Sequence, residues 1–262
     1  MPTLRTVAAT RFVAPLREGG SMPGLIEADD DGMYVVKFRG AGQGIKVLIA
    51  EIVVGEIGRA LGLPVPELVL IEIDGALGRN DPDYEIRSLL EASTGLNMAL
   101  DFLPGALPYD PLVAAPLDPQ LASVIVWFDA YTTNVDRTPR NTNMLLWHRE
   151  LQLIDHGAAL YVHYSWANWR ERIATPFPQI KDHVLLPQAS VLAEFDSALA
   201  ARLTPAVIDG ILALIPEDWL AADEAFSGVE EARAAYRTYL LGRLAAPRQF
   251  VEEAIRARAL AL

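Results

Sequence analysis

Two segments, Asn134–Asn143 (NVDRTPRNTN) and Leu151–Gly157 (LQLIDHG), decide the interpretation of this chain of 262 residues. The first follows Pro119–Thr132, a strongly apolar stretch that predicts a buried helix. The second begins as an apolar strand and ends in Asp-His-Gly. Met144–Trp147, which lies between them, is predicted as a short strand that forms a hairpin with the strand of the second segment. The polar residues of the two segments therefore lie across a single predicted hairpin.

Three residues of these segments, Asp136, Asn141 and Asp155, have the side chains that phosphoryl transfer requires. This reaction needs a carboxylate near the attacking hydroxyl and oxygen ligands for Mg²⁺. Asp136 and Asn141 are five positions apart on one loop and can supply both. Asp155 stands at a strand end, followed by Gly157 after one residue, where it can bind a hard cation. Each feature alone also fits an ordinary polar turn, but the complete set favours a catalytic site.

The chain changes from a strand-rich to a helical pattern near Pro104-Gly105. Before this point the pattern predicts strands at Thr6–Val13, Leu25–Ala28, Met33–Phe38, Val65–Asp74 and Leu96–Leu103, and helices at Val47–Leu61 and Asp83–Ala92. After it, helices are predicted at Pro119–Thr132, Val191–Leu203, Pro205–Leu214, Val229–Leu244 and Arg248–Leu260. The pattern indicates an α+β fold of two lobes: a small sheet-rich lobe in residues 1–103 and a larger helical lobe in residues 104–262.

Lys37 is a conspicuous charged residue of the first part, because it lies in an apolar strand and lysine is scarce in this chain. A buried ammonium needs a counter-charge or a cleft, and bound phosphates would satisfy it. An outward-facing lysine that reaches water is the alternative. Glu51, in the apolar helix that follows, is the expected partner, with Glu56 as the alternative. We expect the ion pair of Lys37 and Glu51 to lie inside a cleft.

Gly19, Gly20 and Ser21 lie between the first two predicted strands. Glycines let backbone N–H groups approach phosphates, and Ser21 adds a hydroxyl. No Gly-Lys-Ser/Thr follows, so the segment is not a Walker-type loop. A plain hairpin loop is the alternative interpretation of these three residues.

The order of these features resembles the protein kinase-like superfamily, and most of all its atypical branch of HipA-like kinases and phosphoinositide kinases. Asp136-Arg137 with Asn141 is similar to the catalytic loop of this branch. Ile154–Gly157 is similar to its metal-binding Asp segment, and Val36–Phe38 to its strand lysine. The resemblance covers roughly residues 17–160 and is most specific in residues 134–157.

This resemblance implies a two-lobed protein kinase-like fold with a small antiparallel sheet in the first lobe. It also implies a kinase that depends on ATP and on Mg²⁺ or Mn²⁺ and transfers the γ-phosphate to a hydroxyl. The implied roles are Asp136 as general base or hydroxyl positioner, Asn141 and Asp155 as metal ligands, Lys37 at the ATP phosphates and Glu51 as the residue that orients Lys37. Gly19, Gly20 and Ser21 would lie at the phosphates, and the backbone from Asp101 to Leu103 at the adenine. We expect Arg137 to hold the catalytic loop or to neutralise nearby phosphate charge through its planar fork of donors.

The chain also departs from ordinary protein kinases. His156 replaces the Phe of Asp-Phe-Gly, and Asn134-Val135 stands where a His-Arg-Asp arrangement has its His. The chain is short for a HipA toxin, which puts a toxin role in doubt. A kinase-fold module that binds nucleotide or a partner without turnover is the alternative function. The acceptor is left open among protein Ser/Thr, including autophosphorylation, a lipid headgroup and a small molecule.

Composition narrows the remaining classes of function. A net charge of −12 without a basic face argues against nucleic acid as a partner. The absence of cysteine excludes disulfides and thiolate metal sites and fits a cytoplasmic chain. No stretch approaches the roughly 20 apolar residues of a membrane span. The four histidines lack the His-Glu-x-x-His spacing of a zinc hydrolase.

Overall fold

The computed structural model describes residues 3–16, 22–42, 44–79, 81–245 and 247–261. In the first part of the chain, strands form a closed barrel. In order around the barrel, these strands are β1 (Arg5–Pro15), β2 (Gly24–Ala28), β3 (Met33–Lys37), β5 (Gly95–Asp101) and β4 (Leu68–Ile73). The structure is therefore of the expected α+β class, but its sheet closes on itself.

The barrel differs from the antiparallel sheet that the sequence leads us to expect, because β1 runs parallel to β4, with Val7 opposite Ile71. β1 is long enough to pair with two neighbours: its first half pairs with β4 and its second half with β2. Register shifts after Ala9 and Phe12 bend the strand between these two pairings. The bend lets the sheet close, so that β1 and β4 cover each other's edges.

Two helices pack against the barrel. α2 (Tyr84–Ala92) begins at Asp83, whose side chain accepts a hydrogen bond from the Glu85 N–H, and it buries Ile86 and Leu90 against the barrel core. α1 (Ile45–Ala60) is apolar on almost every side, which is typical of a helix that is buried all round. It belongs to the main core, together with the helices of the second part of the chain.

The second part of the chain is mainly helical. Its regular elements are β6 (Leu107–Pro108), α3 (Pro119–Thr132), β7 (Met144–Trp147), β8 (Glu150–Leu153), α4 (Leu192–Arg202), α5 (Pro205–Leu212), α6 (Glu217–Ala221), α7 (Val229–Leu244) and α8 (Gln249–Ala261). α3 lies at the centre and packs against α4, α7 and α8. The longer elements agree with the prediction to within three residues at their ends. β6, α6 and three short 3₁₀ turns were not predicted.

The hairpin of β7 and β8 brings the two polar segments together. His148 and Arg149 form its tight turn with positive φ values of 50° and 70°. At its other end the Ile154 N–H donates to the Asn143 carbonyl at 3.1 Å.

The division into lobes at residues 103 and 104 stays a prediction. Within the described ranges, no helix is long and apolar enough to cross a membrane.

Candidate active site

Lys37 lies at the end of β3 with its ammonium buried between two carboxylates. Its Nζ donates to Asp155 Oδ1 at 2.6 Å and lies 3.4 Å from Glu51 Oε1. The second distance permits an ion pair but not a well-aligned hydrogen bond. The pair of Lys37 and Glu51 that the sequence predicts is therefore present. The alternative partner, Glu56, pairs instead with Arg59 at 3.3 Å.

Glu51 joins α1 to the segment that carries Asp155. Its side chain is fully buried, and Oε2 accepts a hydrogen bond from the backbone N–H of His156 at 3.0 Å. Burial raises the pKa of Glu51 to about 7, although the Lys37 ammonium opposes this rise. Glu51 thus contacts both the strand lysine and the Asp-His-Gly segment, and its charge is sensitive to pH near neutrality.

The charges of Lys37 and Asp155 stabilise each other. Burial by itself would lower the pKa of Lys37, but the Glu51 and Asp155 carboxylates outweigh it and raise this pKa. Burial would also raise the pKa of Asp155, but the adjacent Lys37 ammonium outweighs it and lowers this pKa. Both groups are therefore charged at neutral pH.

Asp136 lies on the loop after α3 and is held by amide groups of the same loop. Its Oδ2 accepts hydrogen bonds from Asn141 Nδ2 at 2.7 Å and from Asn143 Nδ2 at 3.2 Å. Its backbone N–H donates to Asn134 Oδ1 at 3.1 Å. Burial raises the pKa of Asp136, and the nearby Asp155 carboxylate adds to this rise. A carboxylate with a raised pKa is a better proton acceptor.

The backbone around Asp155 has an unusual conformation that fits its residue types. Asp155 and Asn143 have φ values of 54° and 48°, a region in which Asp and Asn are the best tolerated residues after glycine. Gly157 is required by close packing, because a Cβ there would lie 2.6 Å from Val47 Cγ1 and 3.3 Å from Glu51 Oε1. The segment of residues 155–157 is thus fitted directly against α1.

Arg137 is buried, and its guanidinium contacts the protein instead of an open cleft. Nε donates to Asp129 Oδ2 at 2.6 Å, a terminal nitrogen donates to the Asn143 carbonyl, and the other lies 3.3 Å from His156 Nδ1. Arg137 was expected beside Asp136 in the catalytic loop, either to hold the loop or to neutralise nearby phosphate charge. Its contacts make it a residue that holds the loop, because no face of the guanidinium is exposed to a substrate.

The segment from Asp101 to Leu103 connects the barrel to the second part of the chain. The Asp101 N–H donates to the Glu67 carbonyl and the Phe102 N–H to the Met33 carbonyl, both at 2.9 Å. The N–H of Leu103 has no acceptor among the described residues. It is therefore the amide of this segment that could bind an adenine. Gly19, Gly20 and Ser21 lie outside the described residues.

The oxygen donors of the site fit a magnesium ion. Within the described part of the chain there is no group of three or more His, Cys, Asp or Glu side chains that could form a protein-only metal site. Mg²⁺ is usually held by one or two protein carboxylates, substrate phosphates and water, so a small donor set suits it. Asp155 supplies a carboxylate. Asn141 directs its NH₂ group at Asp136, which leaves its Oδ1 for a cation.

The sequence interpretation missed four buried polar residues beneath these loops. They are Asp129, Asn134, Asn143 and His183. Asp129 had a signal that could have found it, since it is the acidic residue within the apolar helix α3, just as Lys37 is a charged residue within an apolar strand. The others have no local signal, because their partners are distant in the sequence or lie in an irregular loop.

The chain shares its fold with solved kinase structures. It is similar to the Helicobacter pylori proinflammatory kinase CtkA, with 14% identity, a TM-score of 0.60, and coverage of 100% of this chain and 99% of that one. It is also similar to the Golgi casein kinase, with 11% identity, a TM-score of 0.50, and coverage of 97% and 74%. At these identities the likeness concerns the fold alone.

The family model for HipA-like kinases matches residues 9–250, and the chain belongs to this family. It is therefore a phosphotransferase. Kinases in general use ATP and a divalent metal ion. No curated protein sequence matches the chain.

Proposed function

We propose that this kinase transfers the γ-phosphate of ATP to a hydroxyl at the site formed by Asp136, Asn141, Asp155, Lys37 and Glu51. One observation carries the proposal: these residues come from a strand, a helix and two loops, yet they lie together as two adjoining groups, Asp136 with Asn141 and Lys37 with Glu51 and Asp155. Asn143 bridges the two groups, because its Nδ2 lies 3.2 Å from Asp136 Oδ2 and 3.5 Å from the Asp155 carbonyl oxygen. Buried charges are costly unless they are paired or bind a charged ligand. A site for phosphates and a cation explains why so many are collected here.

Asp136 is proposed to orient the acceptor hydroxyl and to take its proton. Both amide contacts go to Oδ2, and Oδ1 has no hydrogen bond to any residue that the structure describes. Oδ1 is thus available to an acceptor O–H. As the proton passes to Asp136, the acceptor oxygen forms a bond to the γ-phosphorus and the bond between this phosphorus and the β-γ bridging oxygen breaks. ADP leaves with the electron pair of that bond.

Lys37 and Glu51 are proposed to bind and orient the phosphates. Lys37 presents a buried ammonium beside Asp155, and Glu51 limits its position from the side of α1. Asn141 and Asp155 would hold Mg²⁺ or Mn²⁺, which neutralises phosphate charge when bound. The Leu103 N–H would bind the adenine. Gly19, Gly20 and Ser21 are proposed to cover the phosphates, as the resemblance to HipA-like kinases implies.

The test is transfer of labelled phosphate from ATP by the wild type and by Asp136→Ala. We expect the variant to bind Mg-ATP nearly normally and to lose about 10²–10⁴-fold in transfer rate, the usual contribution of a general base. Asp110→Ala removes an exposed carboxylate and serves as the control. Mass spectrometry of the incubated wild type would show whether the chain phosphorylates itself, with Ser21 as the first residue to inspect.

The outcomes separate the proposed reaction from the alternative. Equal activity of Asp136→Ala and the wild type would show that Asp136 is not the base. A wild type that binds Mg-ATP tightly but neither hydrolyses it nor transfers phosphate to any acceptor would support a nucleotide-binding module instead. The acceptor is proposed only as a hydroxyl, and protein, lipid and small-molecule acceptors are to be compared in the same assay.

A further inference from the structure

A single buried carboxylate, that of Asp129 on α3, lies beneath the loops of the site. Its Oδ2 accepts hydrogen bonds from Arg137 Nε at 2.6 Å and from His183 Nε2 at 2.9 Å, and its Oδ1 accepts from Asn134 Nδ2 at 2.9 Å. Burial opposes ionisation, but Arg137 and His183 outweigh it and hold the pKa of Asp129 well below its usual range. Asp129 is therefore a fixed anion with three donors.

Two of the three donors to Asp129, Asn134 and Arg137, also contact a part of the site. Asn134 accepts the Asp136 N–H at 3.1 Å, which fixes the backbone of the proposed base. Arg137 donates to the Asn143 carbonyl and contacts His156, the residue after Asp155. The loop of Asp136 and the segment of Asp155 are thus held by the same guanidinium, and Asp129 holds that guanidinium.

His183 extends this network to a third segment. Its Nδ1 accepts the Leu185 N–H at 3.0 Å, so its hydrogen is on Nε2 and is donated to Asp129. Burial lowers the pKa of His183, which keeps the ring neutral. The adjacent Val184 N–H donates to the Arg137 carbonyl at 3.0 Å. His183 therefore fixes the side chain of Asp129 while its neighbour fixes the backbone of Arg137.

We propose that Asp129 and His183 are positioning residues of this kinase, which set the distance between Asp136 and the metal-binding Asp155 through Arg137. The proposal rests on the roles assigned above to Asp136 and Asp155. Neither residue reaches the open cleft, since both are buried. Their effect is geometric: misplacement of reacting groups by about 1 Å can cost on the order of 10²-fold in rate.

The first variant is His183→Leu, because it leaves Arg137 paired with Asp129 and so avoids an unpaired buried charge. We expect kcat to fall about 10–100-fold, the usual effect of removing an outer contact to a metal site, while KM for ATP changes less than about threefold. His183→Gln can still donate to Asp129 and should recover most of the rate. Amide hydrogen exchange in residues 134–143 should become faster in His183→Leu.

Asp196→Ala is the matched control. Asp196 accepts a hydrogen bond from Trp127 Nε1 at 2.9 Å and pairs with Arg248 at 2.7 Å. Its removal therefore loosens a polar contact of α3 and breaks an ion pair, without touching the loops. Rates are compared at a temperature at which circular dichroism shows every variant folded. An equal fall of kcat in Asp196→Ala and His183→Leu would reduce the role of His183 to general stability and overturn the proposal. Unchanged kcat in His183→Leu would overturn it as well.

The assay distinguishes this proposal from the proposed function. If Asp136→Ala is inactive while His183→Leu is fully active, the reaction stands and the positioning role fails. If the wild type itself transfers no phosphate, hydrogen exchange decides instead. Faster exchange in residues 134–143 of His183→Leu, but not of Asp196→Ala, supports the positioning role, and unchanged exchange in His183→Leu refutes it.

Discussion

Replacing Glu51 by Gln tests a fully buried carboxylate of the site, whose pKa burial raises to about 7. The substitution removes the charge but keeps a carbonyl oxygen that can accept the His156 N–H now bound at 3.0 Å. It also leaves Lys37 paired, because Nζ retains Asp155 at 2.6 Å. Glu51→Gln therefore changes the electrostatics of the pair with little change of shape. Its consequences can be predicted for both stability and activity.

The effect on stability follows from the raised pKa. In the unfolded chain Glu51 titrates near 4.5, and in the folded protein burial raises its pKa to about 7, so the folded state binds this proton more tightly. Glu51 therefore makes its full contribution to the free energy of unfolding below pH 4.5, and this contribution is lost as the pH rises through about 7. At about 1.4 kcal/mol for each tenfold change in proton affinity, the loss is about 3 kcal/mol.

Chemical denaturation of the wild type and Glu51→Gln at pH 4.5 and pH 8 measures this loss. Groups that titrate equally in both proteins cancel in the difference. Between pH 4.5 and pH 8 we expect the free energy of unfolding of the wild type to fall by about 3 kcal/mol relative to that of Glu51→Gln. If the two stabilities change in parallel with pH, Glu51 does not titrate as its burial requires and the reasoning fails.

Activity provides an independent measurement on the same variant. The proposed role of Glu51 in orienting Lys37 needs the carboxylate, so kcat/KM of the wild type should fall as the pH drops below about 7. Glu51→Gln should have a lower rate without this acid limb. Glu56→Gln, on the same helix but paired with Arg59, is the matched control and should keep the limb. An acid limb near pH 7 that persists in Glu51→Gln would assign it to another group.

Two further substitutions test the segment of residues 155–157. Asp155→Asn should weaken Mg-ATP binding about tenfold or more in calorimetry and leave nucleotide binding without metal largely unchanged. Asp182→Asn, at an exposed position, is the control. If Asp155→Asn binds Mg-ATP as tightly as the wild type does, Asp155 is not a ligand of the metal. Gly157→Ala should cost about 1–3 kcal/mol of stability and lower kcat, because the new Cβ meets Val47 Cγ1. Adding Val47→Ala should restore much of both, and a double variant no better than Gly157→Ala would contradict this contact.

Local patterns predicted the elements of the fold, because each rests on residues close in the sequence. The apolar strand around Lys37, the all-round apolar helix α1 and the hairpin of β7 and β8 have periodicities that depend on nothing distant. Closure of the barrel has no such signal. It depends on parallel pairing of Arg5–Ala8 with β4, about 60 residues away, and on bulges in β1 that its residue types do not predict.

The candidate site also contains some residues that local sequence predicts and others that depend on distant contacts. Lys37 and Glu51 were predicted as a pair because a charge in an apolar element requires a partner. The same reasoning applied to Asp129 would have indicated that α3 carries a buried anion. It could not have identified the partners, since His183 is 54 residues away and lies in an irregular segment. Arg137 was assigned from a motif, and its burial could be known only from the packing of the loop beneath it.

The two departures from the usual kinase motifs are explained by one buried polar network that includes Arg137 and Asp129. The His156 ring packs edge-on against Phe128, with ring centres 5.7 Å apart, so it fills an apolar site as a Phe would. It also offers Nδ1 to Arg137 at 3.3 Å. Because a guanidinium can only donate hydrogen bonds, the His156 Nδ1 must be unprotonated to accept from Arg137. Burial also favours the neutral ring, since it lowers the pKa of His156 to about 3.

A Phe at position 156 would give the same packing but leave that guanidinium nitrogen without this acceptor. His156 therefore belongs with an Arg137 that points inward to Asp129. The His of a His-Arg-Asp arrangement is replaced here by Asn134, whose amide bonds Asp129 on one side and the Asp136 N–H on the other. The substituted positions are thus parts of one polar network, in which the loop of Asp136 and the segment of Asp155 are joined through a buried arginine.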